Sequence, residues 1–222
     1  MKAQEAVSRL YAETCMHVAS VNVGKIRSVE LEGRTITTAI WKYPVGGRIP
    51  VRGVNLDGDH QADRKLHGGP DKAIYVYSLD DTDWWEAELG RELGPGTFGE
   101  NLSTRGVDLS AARIGERWSV GSTLLEVRQP RVPCFKLGLR MEDRLFPKRF
   151  GRAERPGLYL SIVKDGEIGA GDDIVVVERP DHEVTIALAN RAFLHDRTRL
   201  PELLAAPALP LQWRDWIEQR GT

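Results

Sequence analysis

Cysteine is scarce in this chain, with only Cys15 and Cys134 in 222 residues. Two thiols cannot supply the four thiolates of a usual iron–sulfur cluster, and they exclude a multi-disulfide scaffold. A single Cys15–Cys134 bridge stays open. No apolar run approaches the ~18 residues of a membrane span. Residues 1–14 mix Lys2, Glu5, Arg9 and Glu13 with apolar residues and lack the core of a secretory signal, so the cytoplasm is the expected compartment. Excess charge of either sign is also missing. A formal net charge of −1 gives no global pull towards nucleic acid or a membrane surface. There is no Gly-x-Ser-x-Gly elbow and no His-x-x-x-His or Cys-x-x-Cys pair for zinc. Internal repeats and low-complexity tracts are absent.

What remains is an ordinary globular composition, 41% hydrophobic and 28% charged. Short β-branched runs recur at residues 17–23, 26–31, 35–40, 48–54, 73–77, 117–120, 124–127, 158–163 and 174–177. Gly24, Gly33, Gly121 and Asp165-Gly166 supply turns between them. Many short strands with turn signals predict a mainly β, α+β fold, a barrel or a sandwich. Helices are expected over 1–12, over 80–93 with Asp80 or Asp81 as N-cap, and over 140–150 as a helix or an irregular cover. The texture changes at Arg179-Pro180-Asp181. Three further short helices follow at 184–194 (N-cap Thr185), 200–206 and 211–220. The division is therefore 1–180 for the β domain and 181–222 for a three-helix extension too small to hold its own core. The six tryptophans are too dispersed for a base-stacking platform and read as packing residues.

Four segments are richer in functional residue types than a barrel needs. Asn55 to Asp63 is an acidic turn without the terminal glutamate of a calcium loop. Lys65-Leu66-His67-Gly68-Gly69-Pro70-Asp71-Lys72 pairs two glycines with three basic side chains, which suits an anion, although a glycine pair before proline is also simply a turn. Gly96-Thr97-Phe98-Gly99-Glu100-Asn101-Leu102-Ser103-Thr104 offers polar groups to a heterocycle, or merely caps itself. Gln129-Pro130-Arg131-Val132-Pro133-Cys134-Phe135-Lys136 is the most informative. Prolines restrict their own φ and the residue before them, so Cys134 is presented in a nearly fixed direction. Flanking Arg131 and Lys136 favour a thiolate. That suits a metal ligand or a nucleophile, the latter with His67 as a spatial partner. The bland alternative is a small buried hydrophobe.

Taken in order, Gly58-Asp59-His60-Gln61-Ala62-Asp63, His67-Gly68-Gly69-Pro70-Asp71-Lys72-Ala73, Phe98-Gly99-Glu100-Asn101-Leu102-Ser103 and the Cys134 segment resemble the MOSC domain. More narrowly, they resemble its stand-alone, YiiM-like bacterial branch, over roughly residues 26–177. The helical tail resembles that branch's three-helix extension. The resemblance implies a β-barrel that binds the molybdenum cofactor in its molybdopterin form, with Cys134 as the protein's thiolate to molybdenum. A thiolate is a soft ligand suited to that role. Lys65, His67, Gly68, Gly69, Lys72 and Arg131 would hold the pterin's phosphate and polar edge, and Asn101, Ser103 and Gln129 would contact pterin or substrate. The implied activity is reduction of N-hydroxylated compounds (hydroxylaminopurines, amidoximes, hydroxamates) to amines or amides. His67 is the preferred proton donor, with Asp59 and Glu100 as alternatives. The expected partners are a small-molecule substrate and an external flavin or iron–sulfur electron-donor protein, with a homodimer left open and nucleic acid or membrane not expected. Pyridoxal phosphate is not expected, because the sulfurase domain that carries it in another branch has no counterpart here. The competing readings are a non-catalytic carrier of cofactor or of sulfur on Cys134, and a scaffold with a vestigial site. One departure stands out. Where relatives often carry an aromatic after the late glycine, this chain reads Pro156-Gly157-Leu158-Tyr159.

Overall fold

The computed structural model describes residues 16–62 and 68–219. The expected helix over 1–12, Cys15, Lys65 and His67 lie outside them.

The first half of the described chain is strand-rich. It contains β1 (His17–Val23), β2 (Arg27–Leu31), β3 (Arg34–Thr38), β4 (Tyr43–Val45), β5 (Arg48–Arg52), β6 (Asn55–Leu56), β7 (Ile74–Ser78) and β8 (Leu102–Arg105). Then come β9 (Arg117–Val120), β10 (Thr123–Pro130), β11 (Leu158–Lys164), β12 (Gly166–Gly169) and β13 (Ile174–Glu178). Eight strands form one sheet in the order β13-β9-β10-β11-β7-β8-β1-β4. Within it only β7 and β8 run parallel. The sheet curls until β1 and β13 meet, where His17 and Asp173 form an isolated bridge. The Val18 amide donates to the Asp172 carbonyl (2.9 Å) and the Ile174 amide to the Met16 carbonyl (2.8 Å). The expected barrel is therefore a curled sheet joined at a short seam rather than by a continuous ladder. Beside it, β5 pairs with β12 and β6, and β2–β3 forms a separate hairpin.

The inward faces follow the period-2 rule of strands. Val18, Val21, Val76, Leu125, Val127, Leu158, Leu160 and Ile174 meet in one core. The C-terminal segment joins that same core through Ile186, Ala189, Ala192, Leu203 and Ile217. It comprises α4 (Ile186–Leu194), a 3₁₀ stretch (Arg197–Ala205) and α5 (Leu211–Glu218). Thr185 caps α4 as expected, its hydroxyl accepting from the Leu188 amide at 3.1 Å. The middle element is 3₁₀ rather than α, with Pro201 inside it; proline supplies no amide for an α-helical bond.

A second, aromatic core underlies the Cys134 segment. It lies beneath α1 (Leu79–Leu89), α2 (Phe135–Met141) and α3 (Phe146–Ala153) and gathers Tyr75, Tyr77, Trp85, Phe98, Phe146 and Phe150. Tyr77 stacks on Phe98 at 4.3 Å, and Trp85 meets Phe146 at 4.9 Å. Such pairs contribute about 0.5–1.5 kcal/mol each beyond area burial. The N-cap of α1 is Ser78, whose hydroxyl accepts from the Asp80 amide at 3.0 Å, not Asp80 or Asp81. The helix ends at Leu89, four residues short of the expected limit, because Gly90 takes a left-handed conformation.

Candidate functional site

Cys134 follows β10 through an extended Pro-x-x-Pro turn and is itself extended (φ −130°, ψ 169°). It stands at the N-cap of α2, its side chain makes no capping bond there, and it lines a half-buried cleft. That cleft, with a cavity volume of about 90 Å³, is lined by Cys134, Arg131, Lys42, Lys72, Lys136, Asp59, His60, Asn101, Tyr75 and Tyr159, among others.

The electrostatics are one-sided. Among the described residues, four cations (Lys42, Lys72, Arg131, Lys136) and one carboxylate (Asp59) line the cleft. Arg131 is almost fully buried. Its Nη1 donates to the Phe98 carbonyl, and its guanidinium lies 4.7 Å from the Tyr75 ring centre. Burial opposes that charge. Its interactions with Tyr75, Tyr159 and Cys134 outweigh that cost, so the guanidinium pKa is raised. Burial likewise pushes the Tyr75 and Tyr159 phenols up, against Arg131, and they remain neutral. The two rings pack at 5.0 Å, and the Tyr75 hydroxyl donates to the Pro156 carbonyl at 2.9 Å.

The far wall is a buried polar cluster. Asp59 accepts from the Gly24 amide (2.7 Å), from Asn101 Nδ2 (2.9 Å) and from Lys42 Nζ. Lys42 is buried, and desolvation lowers its pKa despite Asp59 beside it. Asn101 also accepts the Tyr75 amide at 3.1 Å, tying the cluster to β7. Two glycines make this approach work. At Gly96 (φ +83°) a Cβ would come within 2.4 Å of the Lys42 carbonyl oxygen, and at Gly99 (φ +78°) within 2.7 Å of Ile40.

Among the residues singled out from the sequence, Cys134, Arg131, Lys72, Asn101 and Asp59 do share the cleft. Ser103 and Gln129 do not line it. Ser103 is fully buried between Asn22 Nδ2 (3.0 Å) and Glu100 Oε1 (2.8 Å). Gln129 Nε2 donates to the Asp71 carbonyl at 3.1 Å, bracing the turn that carries Lys72. Gly68 and Gly69 lie behind that turn, where the Gly69 amide donates to Gln61 Oε1 at 3.3 Å. Glu100 is also shut away from the cleft. It accepts from the Gly96 and Phe98 amides (2.6 and 3.0 Å), and burial raises its pKa. Lys42, Tyr75 and Tyr159 were not anticipated. A lone lysine inside Ile40-Trp41-Lys42-Tyr43 was the available signal for the first. At the departure after Gly157, Leu158 is buried in the main core and Tyr159 lines the cleft.

The fold is a curled sheet that places one thiol beside buried cations in a half-buried cleft. The chain belongs to the MOSC domain family, whose family model matches residues 63–175. It is 32% identical over 200 residues to the uncharacterized protein YflK of Bacillus subtilis, covering 89% of this chain and 90% of that protein. It is 31% identical over 207 residues to protein YiiM of Escherichia coli, with 90% of each covered. A protein named reductase from Gibberella moniliformis is 33% identical over 195 residues, which is 86% of this chain but 34% of that protein. Among solved structures, YiiM from Geobacillus stearothermophilus superposes with a TM-score of 0.77 at 30% identity, covering 92% of this chain and 98% of that one. The chain is thus of the YiiM type.

Proposed function

We propose that this protein is an oxidoreductase that binds the molybdenum cofactor and reduces N-hydroxylated compounds to amines or amides. The observation that carries the reading is the placement of Cys134 beside buried Arg131 in a cleft whose described lining is mostly cationic. That donor set fits the cofactor. It offers one soft thiolate for a metal that brings its own sulfur ligands, and cations for the anionic pterin. When bound, the cofactor supplies the two-electron chemistry that cleaves an N–O bond.

The chain's own residues do the rest. Cys134 Sγ is the protein ligand. Lys72 and Lys136 draw the phosphate, while Arg131 keeps positive charge beside the sulfur without moving, since Phe98 and Tyr75 hold it. Tyr75 and Tyr159 form a neutral wall against which a flat ring can lie. The overall reaction takes up two electrons and two protons and releases amine and water. Lys42 Nζ is a proton source in the cleft, because burial loosens its hold on the proton. The Gibberella relative named reductase, of which this chain spans about a third, is in line with reduction.

The test is molybdenum and pterin content of protein from a host that makes the cofactor, beside Cys134→Ser. We expect near-stoichiometric molybdenum in the wild type, and a large loss in a variant with an unchanged melting temperature. Wild-type protein without molybdenum, despite proven supply, would favour the carrier reading based on a Cys134 persulfide.

A further inference from the structure

Most arginines of this fold stand beside carboxylates, but three that converge near the end of α2 do not. Arg140 sits in the last turn of α2. It lies one turn beyond Lys136, on the same helical face as that cleft-lining lysine. Arg140 is half-buried, and its Nε is buried without a hydrogen-bond partner. Buried polar groups are nearly always bonded, so a guanidinium in this state calls for a reason.

Two more arginines reach the same place from other parts of the chain. Arg91 Nη2 donates to the carbonyl of Met141, the residue next to Arg140, at 3.1 Å. Arg27, from β2, lies over the Trp41 ring at 3.5 Å, a contact that holds its long side chain in one direction. Among the described residues, no carboxylate pairs with any of the three. Burial first, and then the charges of Arg27 and Arg91, lower the Arg140 pKa, opposed by Tyr43 and Glu100. Glu100 is buried, and its oxygens already accept from the Gly96 and Phe98 amides and the Ser103 hydroxyl. Glu142 and Asp143 line the groove of the β2–β3 hairpin with Phe135 and Leu139, on the neighbouring face of α2. The groove beside Arg27 holds Lys25 and no acid among its described lining residues. The last turn of a helix favours a cation, which accounts for one charge here and not for three. Guanidinium forks held in place with unused N–H donors match the oxygens of a phosphate.

We propose that Arg27, Arg91 and Arg140 form an anion subsite, joined to the Cys134 cleft along α2 by Lys136, that binds the phosphate of a phosphomonoester. Two sources share that chemistry. One is a phosphorylated N-hydroxyl substrate whose reacting end lies in the cleft; the other is a separate phosphorylated ligand. The first source rests on the reductase reading above, and the subsite itself does not.

The experiment titrates inorganic phosphate and AMP, by calorimetry, into protein purified from a host that makes the cofactor. We expect AMP to bind at low ionic strength, about fivefold more weakly in Arg140→Gln and about twentyfold in Arg27→Gln with Arg140→Gln. Lys72→Gln, a cleft cation outside the subsite, is the control and should leave AMP affinity unchanged. Arg140→Gln should melt no lower than the wild type, because it removes like-charge repulsion; an arginine with a purely structural role would lose stability. A second arm compares viologen-driven reduction of a hydroxylaminopurine nucleoside with that of its monophosphate. A lower KM for the monophosphate, lost in Arg140→Gln while the nucleoside is unaffected, assigns the subsite to the substrate. Equal KM values with AMP binding intact assign it to a separate phosphorylated ligand. AMP binding that is absent, or equally strong in the double variant, would overturn the subsite. So would AMP binding lost in Lys72→Gln instead, which would move the phosphate into the cleft. Reduction of neither compound would overturn the reductase reading, while the calorimetry still decides the subsite.

Discussion

Removing the charge of Asp59 isolates what the buried polar wall of the cleft is worth. Asn at this position keeps the shape and one acceptor oxygen, but it leaves the Lys42 ammonium buried without its counter-charge. Lys42 and Asp59 are each 7% exposed, so water cannot readily replace the lost partner. Breaking one side of a buried pair costs about 3–5 kcal/mol, a large share of the ~5–15 kcal/mol that holds a domain folded. For a chain of this size that is a fall of roughly 6–20 °C in melting temperature. The loss should also depend on pH in a definite direction. Burial already sets the folded pKa of Lys42 below 10.5, with Asp59 holding it up. In Asp59→Asn it drops further. Between the folded pKa and 10.5 the unfolded chain binds more protons than the folded one, so unfolding free energy rises with pH across that window. The deficit of Asp59→Asn should therefore be largest below the window and shrink by pH 9.5. Urea unfolding followed by tryptophan fluorescence at pH 6.5 and 9.5 measures both. The double variant Lys42→Met with Asp59→Asn should recover much of the loss at pH 6.5. A deficit under ~1 kcal/mol, or one equal at both pH values, would refute the account of a desolvated pair.

Two further outcomes follow from packing. Gly96→Ala combines a left-handed backbone with a Cβ 2.4 Å from the Lys42 carbonyl oxygen; it should cost about 1–3 kcal/mol from strain alone and also reduce cofactor retention. Gly90→Ala, left-handed but with nothing within 4 Å, should lower the melting temperature less and leave retention intact. Truncation after residue 180 should give insoluble or unfolded protein, as judged by circular dichroism, because Ile186, Ala189, Leu203 and Ile217 complete the main core. A folded truncation product would show that the extension is dispensable.

The long strands were legible because their apolar alternation is local. β10, expected over 124–127, runs on to Pro130, since the polar Arg128-Gln129 pair masks the continuation. β4 went unread because Tyr43-Pro44-Val45 is short and contains proline. β8 went unread because Leu102 to Arg105 looked like ligand contacts rather than a parallel partner for β7. Gly166, anticipated as a turn, opens β12 against β5. For the site, Cys134 and Arg131 were visible because prolines and charge mark them in one stretch. Lys42 and Asp59 are seventeen residues apart, and Tyr159 is further still from Tyr75. Strand pairing sets Tyr159 opposite Tyr75, and loop packing brings Lys42 onto Asp59. Ser103 and Gln129 show the converse: polar side chains in a motif-like run that the fold uses to brace its own loops.

The short seam between β1 and β13 has a consequence for how this molecule fails. In the sheet order β13 is a terminal strand, and Val175 and Val177 on its outward face are 52% and 55% exposed. Such an edge is a template for pairing with another chain. Here the meeting with β1 occupies one end, and Pro180 lies just past the other. Damage to the seam should register first as self-association through a valine-rich edge, with the Cys134 cleft still intact.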